Sequence, residues 1–301
     1  KQSGDFQSLS TTVESLEKFG VCGPVNFIVN NDVYEEGMLF KPVKGASYQN
    51  SIAYTGQSKD STIIQHQYGN SSGYATVELA GAKHLTCSNL TLRSLDSATG
   101  SGVWLYKQSD SNNFLNLQII LPPQSKWTAG NAIHVKGGSF NAFDSVTVEG
   151  GYFQLRMQPV DSFYAEGNSF SYLQIKANEL QSGNVIINQQ HNLLIKNSSF
   201  ENILFKINNS NALTLNGNVF KSSYIKFDQI NHVNRDTLNK SYAFNNFFFY
   251  PSSTGAGIPL DFVYTWDLKF HHNTLINNSK STYCIKDISQ NTSFFNNIYY
   301  T

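Results

Sequence analysis

Tyr106 in GVWLYK, His134 and Lys136 in AIHVKG, and Arg156 in FQLRMQ have the side chains that proton transfer next to a carboxylate requires. All three segments alternate in the manner of strands, and alternate residues of a strand share one face. Read in that phase, Tyr106, His134, Lys136 and Arg156 point outward. Removing a proton beside a uronate carboxylate takes a cation to neutralise it, a base, and an acid for the leaving oxygen. Arg156 or Lys136 fits the first role. His134 or Lys136 fits the second, and Tyr106 the third. Trp104, Gln154, Gln158, Lys206 in ILFKI and Asp228 in YIKFDQ share the same outward phase and are candidate substrate contacts. Trp127 joins them from a long intervening loop, and Trp266 is a further exposed-ring candidate. Glu78, Lys226 and Asp261 also read as outward. Lys and Arg are equally the ordinary outward residues of a solvated strand. A slip of one residue would turn the whole set inward.

The elements that would carry these side chains recur. Asn89, Asn116, Ser145, Asn168, Asn197, Asn218, Asn246, Asn273 and Asn297 each stand between two short apolar runs, as in FLNLQI, NGNVFK and HHNTLI. The spacing drifts over roughly 20–30 residues, the period range of a solenoid whose loops differ in length. The shortest unit, from Asn197, reads as three strands of four or five residues separated by polar turns. In Ile203–Ile207, Ile203, Phe205 and Ile207 would point inward, and Leu204 and Lys206 outward. Stacked coils would set the Asn side chains above one another, amide to amide, at bends that favour left-handed backbone. In Phe247–Tyr250 and Ile298–Tyr300, alternate rings would stack in the core. Between 172 and 190, either LQIKA or NVIIN could be the middle strand.

The start of the chain differs. Phe6, Leu9, Val13, Leu16 and Phe19 fall at helical spacing, Thr11 to Glu14 reads as a capping box, and Gly20 is placed to end the helix. A solenoid has two raw ends, and residues 1–20 read as a helical lid on one of them. Strand character then runs from 21 to 301 as one domain. The chain ends on FFNNIYYT without an evident cap, which leaves room for further domains or a capping partner there.

Composition narrows the partners. Only 14% of the 301 residues are charged and the formal net charge is zero, against roughly 25% charged in ordinary domains. Duplex nucleic acid needs a cationic surplus that this chain lacks. No run of 18 apolar residues marks a membrane span. Cys22, Cys87 and Cys284 show no metal spacing and read as three thiols, or as one disulfide with a thiol left over. His271-His272-Asn273 flanks a turn and reads as structural, with a metal site as the other reading. No metal or cofactor is expected.

The coil pattern resembles the right-handed parallel β-helix of the pectate lyase-like superfamily, with its internal asparagine ladder. SLSTTVESLEKFGVCGPVNFIVNNDVYEEGMLFKPVKGASYQNSIAYTGQ is similar to the opening of secreted β-helix repeat proteins of Bacteroidetes-type bacteria. The resemblance implies an all-β, right-handed parallel β-helix of about ten coils and an extracellular or cell-surface location. It implies no single activity, because enzymes and adhesin-like proteins share the pattern. The NTD, DD, GHG and RIK elements of polygalacturonases are absent, as are the pectin esterase pattern and the clustered acids of a pectate lyase calcium site. Asp228 and Asp261 come nearest to a hydrolytic pair. The expectation is therefore a polysaccharide-binding module. A polysaccharide lyase built on the Tyr106, His134, Lys136 and Arg156 set is the alternative, and a phage tailspike-type protein a third reading.

Overall fold

A computed structural model describes residues 5–67, 75–96, 99–122, 130–160, 164–177, 183–231, 240–250, 260–278 and 285–300. The chain divides into two compact units, Lys1–Gln154 and Leu155–Thr301. Each is a coil of three parallel sheets.

In the first unit, the first sheet takes Val25–Val29, Ile52–Gly56, Leu85–Ser88, Asn113–Leu115 and Ala142–Asp144. The second takes Asp32–Tyr34, Thr62–His66, Thr91–Ser94, Gln118–Ile120 and Thr147–Glu149. The third takes Met38–Phe40, Ala75–Ala80, Ser101–Tyr106 and Asn131–Lys136. The second unit repeats the plan from Ser169–Ser171 on the first sheet, Gln174–Lys176 on the second and Gly183–Asn188 on the third. Both runs left open by sequence between 172 and 190 are thus strands, on different sheets. The architecture is a right-handed parallel β-helix, the hand that parallel crossovers take.

In-register stacking explains the core. Tyr54, Cys87, Phe114 and Phe143 follow one another on successive coils, and the Phe114 and Phe143 rings stack 4.6 Å apart. In the second unit Phe200, Phe220 and Phe248 form such a row, 5.1 and 5.0 Å between centroids. Burying each ring contributes about 2–3 kcal/mol. Ile203, Phe205 and Ile207 point inward as the alternation requires. Phe248 is buried while Phe247 is 36% exposed, also as expected. Tyr299 is in register with Leu275 yet 47% exposed, because it lies on the last coil of the unit.

The asparagine ladder needs a correction. Asn89, Asn116, Ser145 and Asn197 carry left-handed backbone, with φ between 49° and 58°. Their side chains face solvent, and the following Leu90, Leu117, Val146 and Ser198 point inward. The ladder in the second unit is the buried Asn218, Asn246 and Asn273, continued by a half-buried Asn297, each one residue after a left-handed Gly217, Asn245, His272 or Asn296. Asn168 occupies a different turn, where its Nδ2 donates to Gln190 Oε1 at 3.0 Å. The first unit has its own buried pair at that kind of turn, Asn112 and Asn141, which the spacing did not reveal.

The N-terminal helix runs Leu9–Phe19 and buries Leu9, Thr12, Val13 and Leu16. Thr12 Oγ1 lies 2.8 Å from the buried Tyr54 hydroxyl. Phe6 and Phe19 stay out of that stripe, 43% and 73% exposed. The N-cap is Ser8, not Thr11. The Glu36 carboxylate also accepts from the Leu9 and Ser10 amides at 2.9 Å, so a distant segment supplies the negative charge that a helix start favours. Gly20 ends the helix at φ 69°, and a Cβ there would strike the Lys44 carbonyl.

Candidate functional site

Flat pairing on the third sheet assembles the site of the first unit. Val77, Leu79, Val103, Leu105, Ile133 and Val135 are all buried inward, which turns Glu78, Trp104, Tyr106, His134 and Lys136 outward. Register then sets Glu78 beside Trp104 and Trp104 beside His134 on successive coils. The Trp104 and His134 rings lie parallel within 3°, with centroids 5.8 Å apart. Tyr106 stacks on Trp104 at 4.7 Å. Lys136 is exposed at the end of its strand.

Tyr106 is anchored. Its hydroxyl donates to Glu78 Oε1 at 2.6 Å. Glu78 faces outward as the alternation reads, yet it is only 3% exposed, flanked in register by Leu39 and Trp104. Burial first, and then the Glu78 hydrogen bond and charge, push the Tyr106 phenol up to about 12. It therefore stays protonated at neutral pH. A phenol held so high keeps its proton, which suits hydrogen bonding and weakens it as a proton donor. The Lys107 ammonium sits 5.4 Å from the Tyr106 ring centroid, a cation–π contact.

Gln154, a candidate substrate contact by its outward phase, is buried instead. It is 1% exposed, and its Nε2 donates to the Gly150 and Gly151 carbonyls at 3.2 and 2.8 Å. The left-handed glycine pair just before the strand folds back and consumes that amide. Trp127 lies outside the described residues.

The second unit holds the other candidates. Arg156 and Gln158 are half-buried and outward, alternating with buried Leu155 and Met157. Burial draws the Arg156 guanidinium down from its ordinary value. Lys206 stands in register with Lys226, and Lys226 with Asp261. Asp228 is engaged by Lys226 at 2.8 Å, and Asp261 by the Tyr224 hydroxyl at 3.0 Å. The two carboxylates thus have separate partners. Tyr224 is pushed up to about 12, by burial and then by Asp261. Trp266 is half-buried at a strand end. His271 is sandwiched between Phe244 and Phe295, at 5.5 and 4.8 Å, which is a packing role. Among the described residues no three His, Cys, Asp or Glu side chains group to hold a metal. Cys22 and Cys87 are free thiols, and Cys284 lies outside the described residues. No described helix is long and apolar enough to cross a membrane.

The sequence reading missed the Glu78 bond to Tyr106 and the Asp261 bond to Tyr224. A Tyr one coil from an outward carboxylate on the same sheet was the available signal.

The chain is thus defined as a parallel β-helix with an aromatic and hydrogen-bonding row on the outer face of one sheet. No family model and no curated protein matches it in sequence. Among solved structures it is similar to a pectin methylesterase from Aspergillus niger, at 9% identity and TM-score 0.43 over 99% of this chain and 82% of that one. A pectin methylesterase from Yersinia enterocolitica gives 13% and 0.42 over 96% and 90%. The PL6 family alginate lyase AlyGC gives 14% and 0.34 over 96% and 50%.

Proposed function

We propose that this chain is a secreted or cell-surface module that binds polysaccharide across the outer face of the third sheet of its first unit. Trp104, Tyr106, His134 and Lys136 make the contacts. The observation that carries the reading is the ordered row itself. Trp104 and His134 stand in register on neighbouring coils, Tyr106 stacks on Trp104 along the same strand, and the Tyr106 hydroxyl is bonded to the buried Glu78. Such preformed rows present hydrogen-bonding edges and apolar area at little ordering cost. Coils about 4.8 Å apart offer repeated contacts to a repeating polymer.

A lyase is the second reading, favoured by the presence of an acid and a candidate base on one face. Tyr106 would protonate the leaving oxygen, and His134 or Lys136 would take the proton. The anchored, high-pKa phenol weighs toward binding, since its proton is already committed to Glu78.

The test is retention of the protein in affinity gels containing a panel of polysaccharides, with absorbance of unsaturated product followed in parallel. Wild type should be retained, and Trp104→Ala and Lys136→Ala should each lose about tenfold in affinity, near 1.4 kcal/mol. Product formed by wild type and lost in His134→Ala would replace the binding reading with the lyase. Neither retention nor product would sink both.

A further inference from the structure

Beside the Tyr106 row, at the turns that follow the third sheet, lies an open groove of about 720 Å³ in the first unit. Lys41, Lys83, His84 and Lys107 line it, over an apolar floor that includes Pro42 and Ala80. No Asp or Glu lines it. Its lining presents ammonium groups and no carboxylate to the open side, although Lys41 and Lys83 are each paired behind it. Lys41 and Lys83 keep their carboxylate partners, Glu17 at 3.2 Å and Asp110 at 2.6 Å, outside the lining. Lys107 has no carboxylate partner among the described residues, and its recorded contact is the Tyr106 ring.

The backbone supplies an independent observation. Lys107 and Gln108 are consecutive non-glycine residues at φ 52° and 59°. Every other left-handed non-glycine residue described stands singly. Each such residue costs about 1–2 kcal/mol. The strain is held by the fully buried Ser109, whose single Oγ proton lies between the Tyr106 and Leu79 carbonyls, 2.7 and 2.8 Å from Oγ, and whose Oγ accepts from the Gly81 amide at 2.8 Å. Packing does not require this turn to carry an exposed lysine. What the strain achieves is to set a free ammonium at the mouth of the groove, next to Tyr106. Strained backbone of this kind concentrates where a ligand is held.

We infer that the groove is a subsite for an anionic substituent, carboxylate or sulfate, on a polysaccharide chain. Lys83 and Lys107 hold the anion, and the apolar floor receives the sugar ring. The inference rests on the polysaccharide reading above and adds to it the charge of the polymer and a second contact region. It also moves the cation role from Arg156 to residues that the sequence did not single out.

Affinity electrophoresis in gels carrying polygalacturonate, dextran sulfate or uncharged dextran tests it. Wild type should be retarded by polygalacturonate or dextran sulfate, and whichever retards it more identifies carboxylate or sulfate as the source. Added salt should weaken that retardation, because the groove is open to solvent. The double variant Lys83→Gln/Lys107→Gln should lose about fivefold to tenfold in affinity for the acidic polymer, the range for two exposed ion pairs. An unchanged unfolding midpoint shows that the variant is folded. If the double variant is retarded as strongly as wild type, the subsite is refuted and the polysaccharide reading stands. Retardation of wild type by uncharged dextran alone does the same. If no polymer retards wild type, both fall.

Discussion

Replacing Asn246 by Ala should cost the second unit more than the same change costs at Asn245, although the two residues are neighbours. Asn246 Oδ1 accepts from the Asn218 amide and from Asn218 Nδ2, both at 3.0 Å. Its Nδ2 donates to the Leu215 carbonyl at 3.1 Å and to Asn273 Oδ1 at 3.0 Å. Asn273 Oδ1 would keep the Asn246 amide at 2.9 Å. Two buried donors on Asn218 would lose their acceptor. At about 1–3 kcal/mol for each stranded group, the loss is about 2–6 kcal/mol, with the lower end applying where a water enters the vacancy. Asn245 is exposed, with one long bond of 3.4 Å to Asn216 Oδ1. Ala there loses about 1–2 kcal/mol because φ is 56°, and Gly should lose almost nothing. Guanidinium chloride unfolding at constant slope reads the difference. Hydrogen exchange at the Asn218 amide should accelerate in Asn246→Ala and not in Asn245→Ala. Equal losses at the two positions would refute the assignment of inward and outward residues at this turn.

Alkaline stability provides another check. Burial raises the Tyr54, Tyr106 and Tyr224 phenols from their ordinary value of 10.0, with Glu78 and Asp261 adding to the rise at Tyr106 and Tyr224 and the Thr12 hydrogen bond opposing it at Tyr54. A raised folded-state value stabilises fully below pH 10, and the contribution is lost as pH rises toward about 12. Unfolding midpoints should therefore fall from about pH 10 upward, and Tyr106→Phe should flatten part of that fall. Thiol labelling should separate the cysteines. Cys22 is exposed, whereas Cys87 is fully buried and its thiol is pushed up to about 12. A maleimide should modify Cys22 in the native protein and Cys87 only after unfolding. Equal native reactivity would contradict the burial of the Tyr54–Cys87–Phe114 row.

The solenoid was legible because stacking is periodic. Every coil must bury the same face, so apolar alternation and turn residues recur, and no long-range information is needed to see them. The terminal helix was equally plain, since its apolar residues repeat at 3.6. The outward phase of Trp104, Tyr106, His134, Lys136, Lys206 and Asp228 also followed from alternation, because slipping a strand by one residue would bury its charges. The phase of the asparagines did not. Left-handed backbone favours Asn, and so does an inward amide ladder, so neighbours such as Asn245 and Asn246 cannot be told apart by type. Only the fold, which turns one outward and the next inward, distinguishes them. The fates of Glu78 and Gln154 were hidden for a related reason. Alternation says which side of a sheet a residue faces, but not what covers that side. Tertiary structure placed Trp104 and the Tyr106 hydroxyl over Glu78, and folded the Gly150–Gly151 turn back onto Gln154. It also gathered Lys41, Lys83, His84 and Lys107, spread along the chain, into one groove, because successive coils bring together residues that are far apart in the sequence.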